Sequence, residues 1–280
     1  MLANTITLSP SEYRKIATLV YERFGIALGE NKESLVNNRL RKVLEEKGFD
    51  SFDAFYNHLV NDRTGNALDI LINKISTNLT FFGREAEHFN FLGERVIPEY
   101  LKSTDASSDK KIRVWCAGCS TGEEAYTLSI VVKEALQKAR STLDYAVLAT
   151  DISGKALAVA EKGMYKAENV NKLDDGWRKK YYEPVASDQY RVRNEIRNKV
   201  LFRRLNLMRP QFPFKNKFHV IFCRNVMIYF DQETRAQLTR KFHDFLKDDG
   251  YLFIGHSESL GRDNRYFSYV KPAVYKKAVV

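Results

Sequence analysis

The chain has 280 residues, of which 44% are hydrophobic and 29% are charged. This length and composition predict about two domains with hydrophobic cores, which excludes a disordered protein and a small disulfide-stabilised one. No apolar run approaches the roughly 20 residues that a transmembrane helix requires, and the first residues do not resemble a secretory signal. Because an odd count of three cysteines fits a reducing compartment, we expect a cytoplasmic protein without membrane insertion.

The net charge of +10 is concentrated in one segment of the chain. Residues 1–77 carry ten basic and ten acidic side chains, whereas residues 162–217 carry fifteen basic and six acidic ones. A basic segment of this kind favours an anionic partner such as nucleic acid, a membrane surface or an acidic protein. A solvated basic face without a specific partner is the alternative.

Residues 1–77 have the pattern of a small helical domain. A capping-box signal at residues 9–12, with proline at the first helical position, predicts where the first helix begins. The spacing of apolar residues predicts further helices over residues 31–47, 52–61 and 66–77. The polar side of the second helix carries a group of basic residues that includes Arg39, Arg41 and Lys42.

From about residue 111 the pattern changes to alternating strands and helices. Strands are predicted over residues 111–116, 145–150, 218–223, 251–255 and 266–277, and helices over 123–138, 154–162 and 232–247. This alternation is typical of a mainly parallel, doubly wound sheet, so residues 78–280 are predicted to form an α/β domain. Residues 175–205 interrupt that domain, and two strands there, 189–193 and 199–204, predict a small antiparallel β-subdomain.

The first strand-to-helix connection has the features of a nucleoside-binding site. Residues 117–122 are rich in glycine and open a helix, where free N–H groups can face a ligand. Asp151 closes the next strand, where a carboxylate can bind a ribose diol. Glu123 and Glu124 would repel a pyrophosphate but suit a cationic nucleoside such as S-adenosylmethionine (SAM). For this loop taken alone, a structural turn with capping acids is the alternative.

Other common catalytic patterns are missing from the sequence. Cys116 and Cys119 have the spacing of a zinc-ligand pair, but no second pair of Cys or His accompanies them. The five histidines form no spaced cluster, and no Gly-x-Ser-x-Gly sequence indicates a hydrolase. The sequence therefore predicts no metal site.

Four segments together resemble the chemotaxis receptor methyltransferases, the CheR family. They are residues 77–85 (TNLTFFGRE), 119–124 (CSTGEE), 222–230 (FCRNVMIYF) and 255–258 (GHSE). The similarity covers nearly the whole chain. One departure is Gly83, which stands before the arginine where the family usually has Phe-Phe-Arg.

The resemblance implies SAM as the cofactor and S-adenosylhomocysteine as the product. It places the cofactor contacts at Asn78, Thr80, Arg84, Glu124, Asp151, Asn206, Leu207, Arg224 and Asn225. Asp151 would bind the ribose, as the strand pattern also suggests, and Asn206 and Leu207 would lie near the adenine. The implied catalytic residues are Arg84 and Tyr229, with Tyr229 facing the reacting methyl group.

The implied reaction is methyl transfer to glutamate side chains of chemoreceptors, which forms γ-methyl esters for chemotactic adaptation. A glutamate with a pKa of about 4.3 is already ionised at neutral pH, so no general base is required. Arg84 can orient the carboxylate through its planar, charged fork. The expected partners are the cytoplasmic methylation helices of receptors, not nucleic acid, and the residues expected to dock them are Arg39, Arg41 and Lys42.

Some members of this family hold a C-terminal receptor peptide on an inserted β-subdomain that has the loop Gly-x-Gly-Pro-x-x-Gly. This chain has the glycine-free stretch 182–190 in the corresponding place. Because glycine permits the close backbone approach that strand addition needs, we predict no C-terminal pentapeptide tether. The alternatives to a receptor methyltransferase are a SAM-binding sensor or scaffold and a methyltransferase with a non-receptor substrate.

Overall fold

The computed structural model describes residues 6–103, 111–261 and 264–279. The first part is a bundle of four helices: α1 (Pro10–Phe24), α2 (Glu33–Lys47), α3 (Phe52–Asn61) and α4 (Asn66–Ile75). Ser9 forms the predicted capping box with Glu12, and α1 ends at Gly25, which has the left-handed conformation common at helix ends. The apolar faces of these helices form a core of their own.

A long helical segment connects the bundle to the sheet, and further helices cover the sheet. In the connecting segment, α5 (Ala86–Phe91) continues through a π-helical stretch, Leu92–Val96, into α6 (Ile97–Lys102). The later helices are α7 (Glu123–Lys138), α8 (Gly154–Lys162), α9 (Ala167–Val170), α10 (Asp175–Tyr181), α11 (Asn194–Arg197) and α12 (Gln232–Phe245).

The main sheet has seven strands in the order β6-β2-β1-β7-β8-β10-β9. Their bounds are β1 (Lys111–Ala117), β2 (Asp144–Asp151), β6 (Val200–Arg204), β7 (Phe218–Cys223), β8 (Leu246–Ile254), β9 (Phe267–Lys271) and β10 (Val274–Lys277). Neighbouring strands are parallel in the pairs β6–β2, β2–β1, β1–β7 and β7–β8. Strand β10 is antiparallel to both of its neighbours, β8 and β9. Every residue of β7 is buried, as expected for a central strand covered on both faces.

A second, three-stranded antiparallel sheet has the order β3-β5-β4. Its strands are β3 (Met164–Lys166), β4 (Tyr182–Ala186) and β5 (Gln189–Val192). The predicted fold class, a doubly wound α/β sheet with a helical domain and a small antiparallel β-subdomain, is therefore confirmed. No helix in the described part of the chain is long and apolar enough to span a membrane.

Two sequence-based strand predictions were wrong. The strand predicted over residues 199–204 does not pair inside the antiparallel piece, because β6 lies parallel to β2 at the edge of the main sheet. Only alternate side chains of this strand can face the core, and Phe202 is its buried residue. The single strand predicted over residues 266–277 is a hairpin of β9 and β10, since Ala273 takes a left-handed turn conformation between them.

Candidate active site

A cavity of about 390 Å³ lies where β1, β2 and β7 end at their carboxyl edge. The strand order changes direction between β1 and β7, and ligands of doubly wound sheets bind at such a point. All the residues that the resemblance assigns to the cofactor or to catalysis line this cavity: Asn78, Thr80, Arg84, Glu124, Asp151, Asn206, Leu207, Arg224, Asn225 and Tyr229. The helical bundle contributes Phe24, Ile26, Leu35 and Arg39 to the lining.

The glycine-rich loop after β1 forms one side of the cavity. Its backbone crosses to β2, where the N–H groups of Gly118 and Cys119 donate to the Thr150 carbonyl at 2.7 and 2.9 Å. Gly118 and Gly122 have φ values of +87° and +96°, which side chains rarely allow. A Cβ atom at Gly122 would also lie 2.8 Å from the Cβ atom of Ala160 on α8. This turn therefore depends on glycine for both conformation and space.

Asp151 is held at the end of β2 by backbone donors. Its Oδ2 accepts a hydrogen bond from the Ser120 N–H at 2.7 Å, and its Oδ1 accepts one from the Ser153 N–H at 2.8 Å. Burial raises the pKa of this carboxyl, and the backbone hydrogen bonds oppose that rise. Each carboxylate oxygen keeps a second acceptor position, so a ligand hydroxyl group can still be bound here.

Arg224 lies at the centre of the site between two carboxylates. Its side chain is 1% exposed and contacts Glu85 Oε2 and Glu124 Oε2, both at 3.1 Å. Its Nη2 also donates to the carbonyl oxygen of Arg84 at 2.5 Å. Burial raises the pKa of Glu124, and the positive charge of Arg224 opposes this. Arg224 therefore joins the loop after β7 to the Arg84 turn and to α7.

The turn that carries Arg84 explains the unusual glycine before it. Gly83 has a φ value of +77°, so the chain reverses there and directs Arg84 to the cavity. Phe82 is buried on the other side, with its ring 4.9 Å from that of Tyr165. Arg84 Nη1 donates to the Leu79 carbonyl at 3.1 Å. The departure from Phe-Phe-Arg thus leaves the arginine in place.

Glu258 fixes the loop that follows β7, a role that the sequence analysis did not assign. Its Oε2 accepts hydrogen bonds from the N–H groups of Asn225 at 2.9 Å and Gly255 at 2.5 Å. Its Oε1 accepts from the Ile228 N–H at 3.1 Å. The available signal was the family-like segment 255–258, whose last residue is this glutamate.

Strained backbone conformations also occur around the cavity. Glu85, Ser120 and Asn225 have φ values of +52°, +48° and +58°, although none is glycine. Such conformations cost about 1–3 kcal/mol each and persist where surrounding contacts enforce them. Each of these residues has such contacts, through Arg224, Asp151 and Glu258 respectively. Glu85 was likewise missed as a site residue by the sequence analysis.

The structure separates the three basic residues predicted to dock the substrate. Arg39 lines the cavity, and its Nη1 donates to the Ile75 carbonyl at the end of α4 at 2.6 Å. Arg41 and Lys42 are exposed and lie 3.5 and 3.9 Å from the carboxylates of Glu45 and Glu46. Arg39 therefore has different surroundings from Arg41 and Lys42, and a docking role for the three residues stays a prediction.

A cavity at the switch point of a doubly wound sheet, with a carboxylate such as Asp151 at the end of the second strand, is typical of an enzyme that binds a nucleoside-containing ligand. The family model described as "CheR methyltransferase, SAM binding domain" matches residues 78–276. The model described as "CheR methyltransferase, all-alpha domain" matches residues 11–76. The chain belongs to the CheR methyltransferase family, and its cofactor is SAM, so both predictions are confirmed.

Curated relatives match almost the entire chain. A "Chemotaxis protein methyltransferase" of Borreliella burgdorferi is 42% identical over 272 residues, covering 97% of this chain and 96% of that protein. A protein of the same name from Escherichia coli K12 is 35% identical over 277 residues, covering 98% and 93%. "Chemotaxis protein methyltransferase 1" of Pseudomonas aeruginosa is 35% identical over 239 residues, covering 84% and 85%.

Proposed function

We propose that this protein transfers methyl groups from SAM to glutamate side chains of chemoreceptors, as a protein-glutamate O-methyltransferase of chemotactic adaptation. The observation that carries the proposal is the convergence of Asp151, Glu124, Arg84 and Tyr229 on one cavity in a member of the CheR family. The relatives named as chemotaxis methyltransferases support a receptor substrate rather than a sensor or scaffold without catalysis.

The residues of the cavity fit the proposed contacts with SAM. SAM carries a sulfonium and an ammonium group, and it supplies an electrophilic methyl group to the reaction. Glu124, which is partly buried, and Asp151, which is buried, gain a favourable charge interaction from such a cationic ligand. We assign the ribose to Asp151 and the region near the adenine to Asn206 and Leu207.

The chain's own contribution to catalysis is positioning. The acceptor glutamate is ionised at neutral pH, so the protein has no proton to remove. In the transfer, the acceptor oxygen forms a bond to the methyl carbon, the carbon–sulfur bond breaks, and its electron pair stays on sulfur. We assign Arg84 to orienting the acceptor carboxylate and Tyr229 to the space beside the methyl group, because both line the cavity.

The test is methylation of receptor-containing membranes with SAM labelled in its methyl group, followed by release of methanol in alkali. We expect alkali-labile label in the receptors. Arg84→Lys keeps the charge but removes the planar fork, so it should bind SAM and lose most turnover. Arg95→Lys, at an exposed arginine on the connecting helix, is the matched control. Label that resists alkali, or turnover by Arg84→Lys equal to that of the control, would contradict the proposal.

We further propose that the helical domain, residues 1–77, docks the substrate and that residues 78–280 perform the transfer. Within the helical domain, the exposed side chains of Arg41 and Lys42 are the candidates for attracting an acidic receptor helix. The partner is then the cytoplasmic part of a receptor, and the protein acts in the cytoplasm. Neither nucleic acid nor membrane insertion is expected.

The predicted absence of a pentapeptide tether is supported by the outer strand β4. The Tyr181 carbonyl accepts from the Arg193 N–H at 2.8 Å, so it points toward β5. Backbone groups alternate sides along a strand, and Tyr182 and Pro184 therefore face the open edge. Because Pro184 has no N–H, a strand added there would lack one donor. Calorimetric titration with C-terminal receptor pentapeptides should show no binding, and micromolar affinity would contradict this proposal.

A further inference from the structure

Three metal-ligating side chains meet beside Arg224, although they are far apart in the sequence. Glu85 stands before α5, His88 lies in its first turn, and His256 follows β8. Their potential ligand atoms all lie within 4.8 Å of one another. The sequence analysis predicted no metal site because these histidines have no ligand spacing. The fold brings them together.

His88 requires an explanation of its own. Its side chain is 0% exposed, and neither Nδ1 nor Nε2 has a hydrogen-bond partner among the residues that the structure describes. An unsatisfied buried polar group costs about 1–3 kcal/mol, so it usually indicates a missing water or ion. Nδ1 lies 3.5 Å from Glu85 Oε2 without the geometry of a hydrogen bond. Burial, and then the charge of Arg224, lowers the pKa of His88 to about 4.

The neighbouring groups provide access and charge. His256 is exposed, and its ring lies 4.7 Å from that of His88, so the cluster extends from the buried imidazole to the protein surface. Glu85 and Glu124 both contact Arg224, which leaves these three side chains with one net negative charge when both acids are ionised. A dication at this cluster would therefore not add to an excess of positive charge.

We propose that Glu85, His88 and His256 bind a first-row transition-metal dication such as Zn²⁺. Two imidazole nitrogens and one carboxylate oxygen are a ligand set that zinc uses in proteins. Zinc bonds to nitrogen and oxygen are about 2.0–2.2 Å long, so the three ligand atoms, which lie within 4.8 Å of one another, must move closer together. Rotation of the exposed His256 side chain toward His88 can bring them together. A metal bound here holds Glu85 in place, and Glu85 contacts Arg224, which donates to the Arg84 carbonyl. The metal therefore stabilises the Arg84 turn without touching the transferred methyl group.

The test uses the tag-free, full-length protein after chelator treatment, titrated with Co²⁺ and then competed with Zn²⁺. We expect one equivalent of Co²⁺ to bind with the visible absorption of a four- or five-coordinate ion, and Zn²⁺ to abolish that absorption. His256→Ala should weaken the Co²⁺ affinity at least tenfold. His58→Ala, at an exposed histidine on α3, should leave the affinity unchanged.

A second measurement separates site-specific binding from effects on folding. Zn²⁺ should raise the thermal unfolding midpoint of the wild type and of His58→Ala, but not that of His256→Ala, because only binding to the folded site stabilises the protein. Absence of a stoichiometric Co²⁺ complex would overturn the proposal, and so would equal affinities of His256→Ala and the wild type. Either result would mean that Glu85, His88 and His256 do not form a metal site.

Discussion

The three hydrogen bonds accepted by Glu258 predict that this residue stabilises the site loop although it does not line the cavity. Glu258→Gln leaves one oxygen in place of two. If that oxygen faces Asn225 and Gly255, the new NH2 group faces the Ile228 N–H, and one donor loses its acceptor. The other orientation loses two bonds, so the first should prevail.

The magnitude follows from these contacts. A hydrogen bond to a charged acceptor contributes about 1.5–3 kcal/mol, and water can replace part of it at this half-buried side chain. We therefore expect Glu258→Gln to lower the free energy of unfolding by about 1–3 kcal/mol, and Glu258→Ala to lower it further. The Asn225 backbone should relax from its left-handed conformation, so SAM affinity and turnover should both fall.

Urea unfolding, calorimetry with SAM and initial methylation rates measure these three effects. Glu233→Gln, at an exposed glutamate on α12 that bonds only a neighbouring glutamine among the contacts observed, is the matched control. If Glu258→Gln equals this control in stability and in SAM affinity, the loop does not depend on the carboxylate and the reasoning is wrong. A loss of stability with unchanged SAM affinity would limit the role of Glu258 to folding.

Other predictions concern the cofactor and the substrate. Asp151→Ala should weaken SAM binding at least tenfold in calorimetry, because each ribose hydrogen bond to a charged group contributes about 1.5–3 kcal/mol. Unchanged affinity in a folded variant would refute the ribose assignment. Burial raises the pKa of both Glu124 and Asp151, so acidification neutralises them. The affinity for SAM should therefore fall with falling pH more steeply than the affinity for S-adenosylhomocysteine, because that compound lacks the sulfonium charge. Parallel pH profiles for the two compounds would contradict this. Reversing Arg41 and Lys42 to Glu should raise the KM for receptors at low salt and not at high salt, whereas an unchanged KM at low salt would mean that both are merely solvated.

The elements that the sequence predicted well are those whose signals are local. Residues 123–138 and 154–162 form the predicted helices, and residues 218–223 form the predicted strand, because apolar spacing and capping residues lie within each segment. The strand β6 was misplaced because its pattern predicts a strand but not its partner. Partner choice depends on the crossover that precedes it, which returns the chain to β2.

The residues of the candidate site also divide into those that local sequence predicts and those that it does not. The glycine turn and Asp151 were predicted from residues adjacent in sequence. The contacts of Arg224 with Glu85 and of Glu258 with Asn225 join distant segments, and no periodicity signals them. Arg39 illustrates a related limit, because helical spacing identifies a polar face but not the carbonyl groups of α4 that meet it.

These long-range contacts also explain why one glycine can replace the usual aromatic residue before Arg84. The position of that arginine does not require an aromatic side chain at residue 83, because its carbonyl oxygen is held by Arg224 and its guanidinium by the Leu79 carbonyl. Residue 83 needs only to permit the turn, and glycine does so because it adopts a positive φ at no steric cost. The arginine is therefore positioned by the loop after β7, and a change in that loop should disturb Arg84 more than a change at Gly83 that preserves the turn.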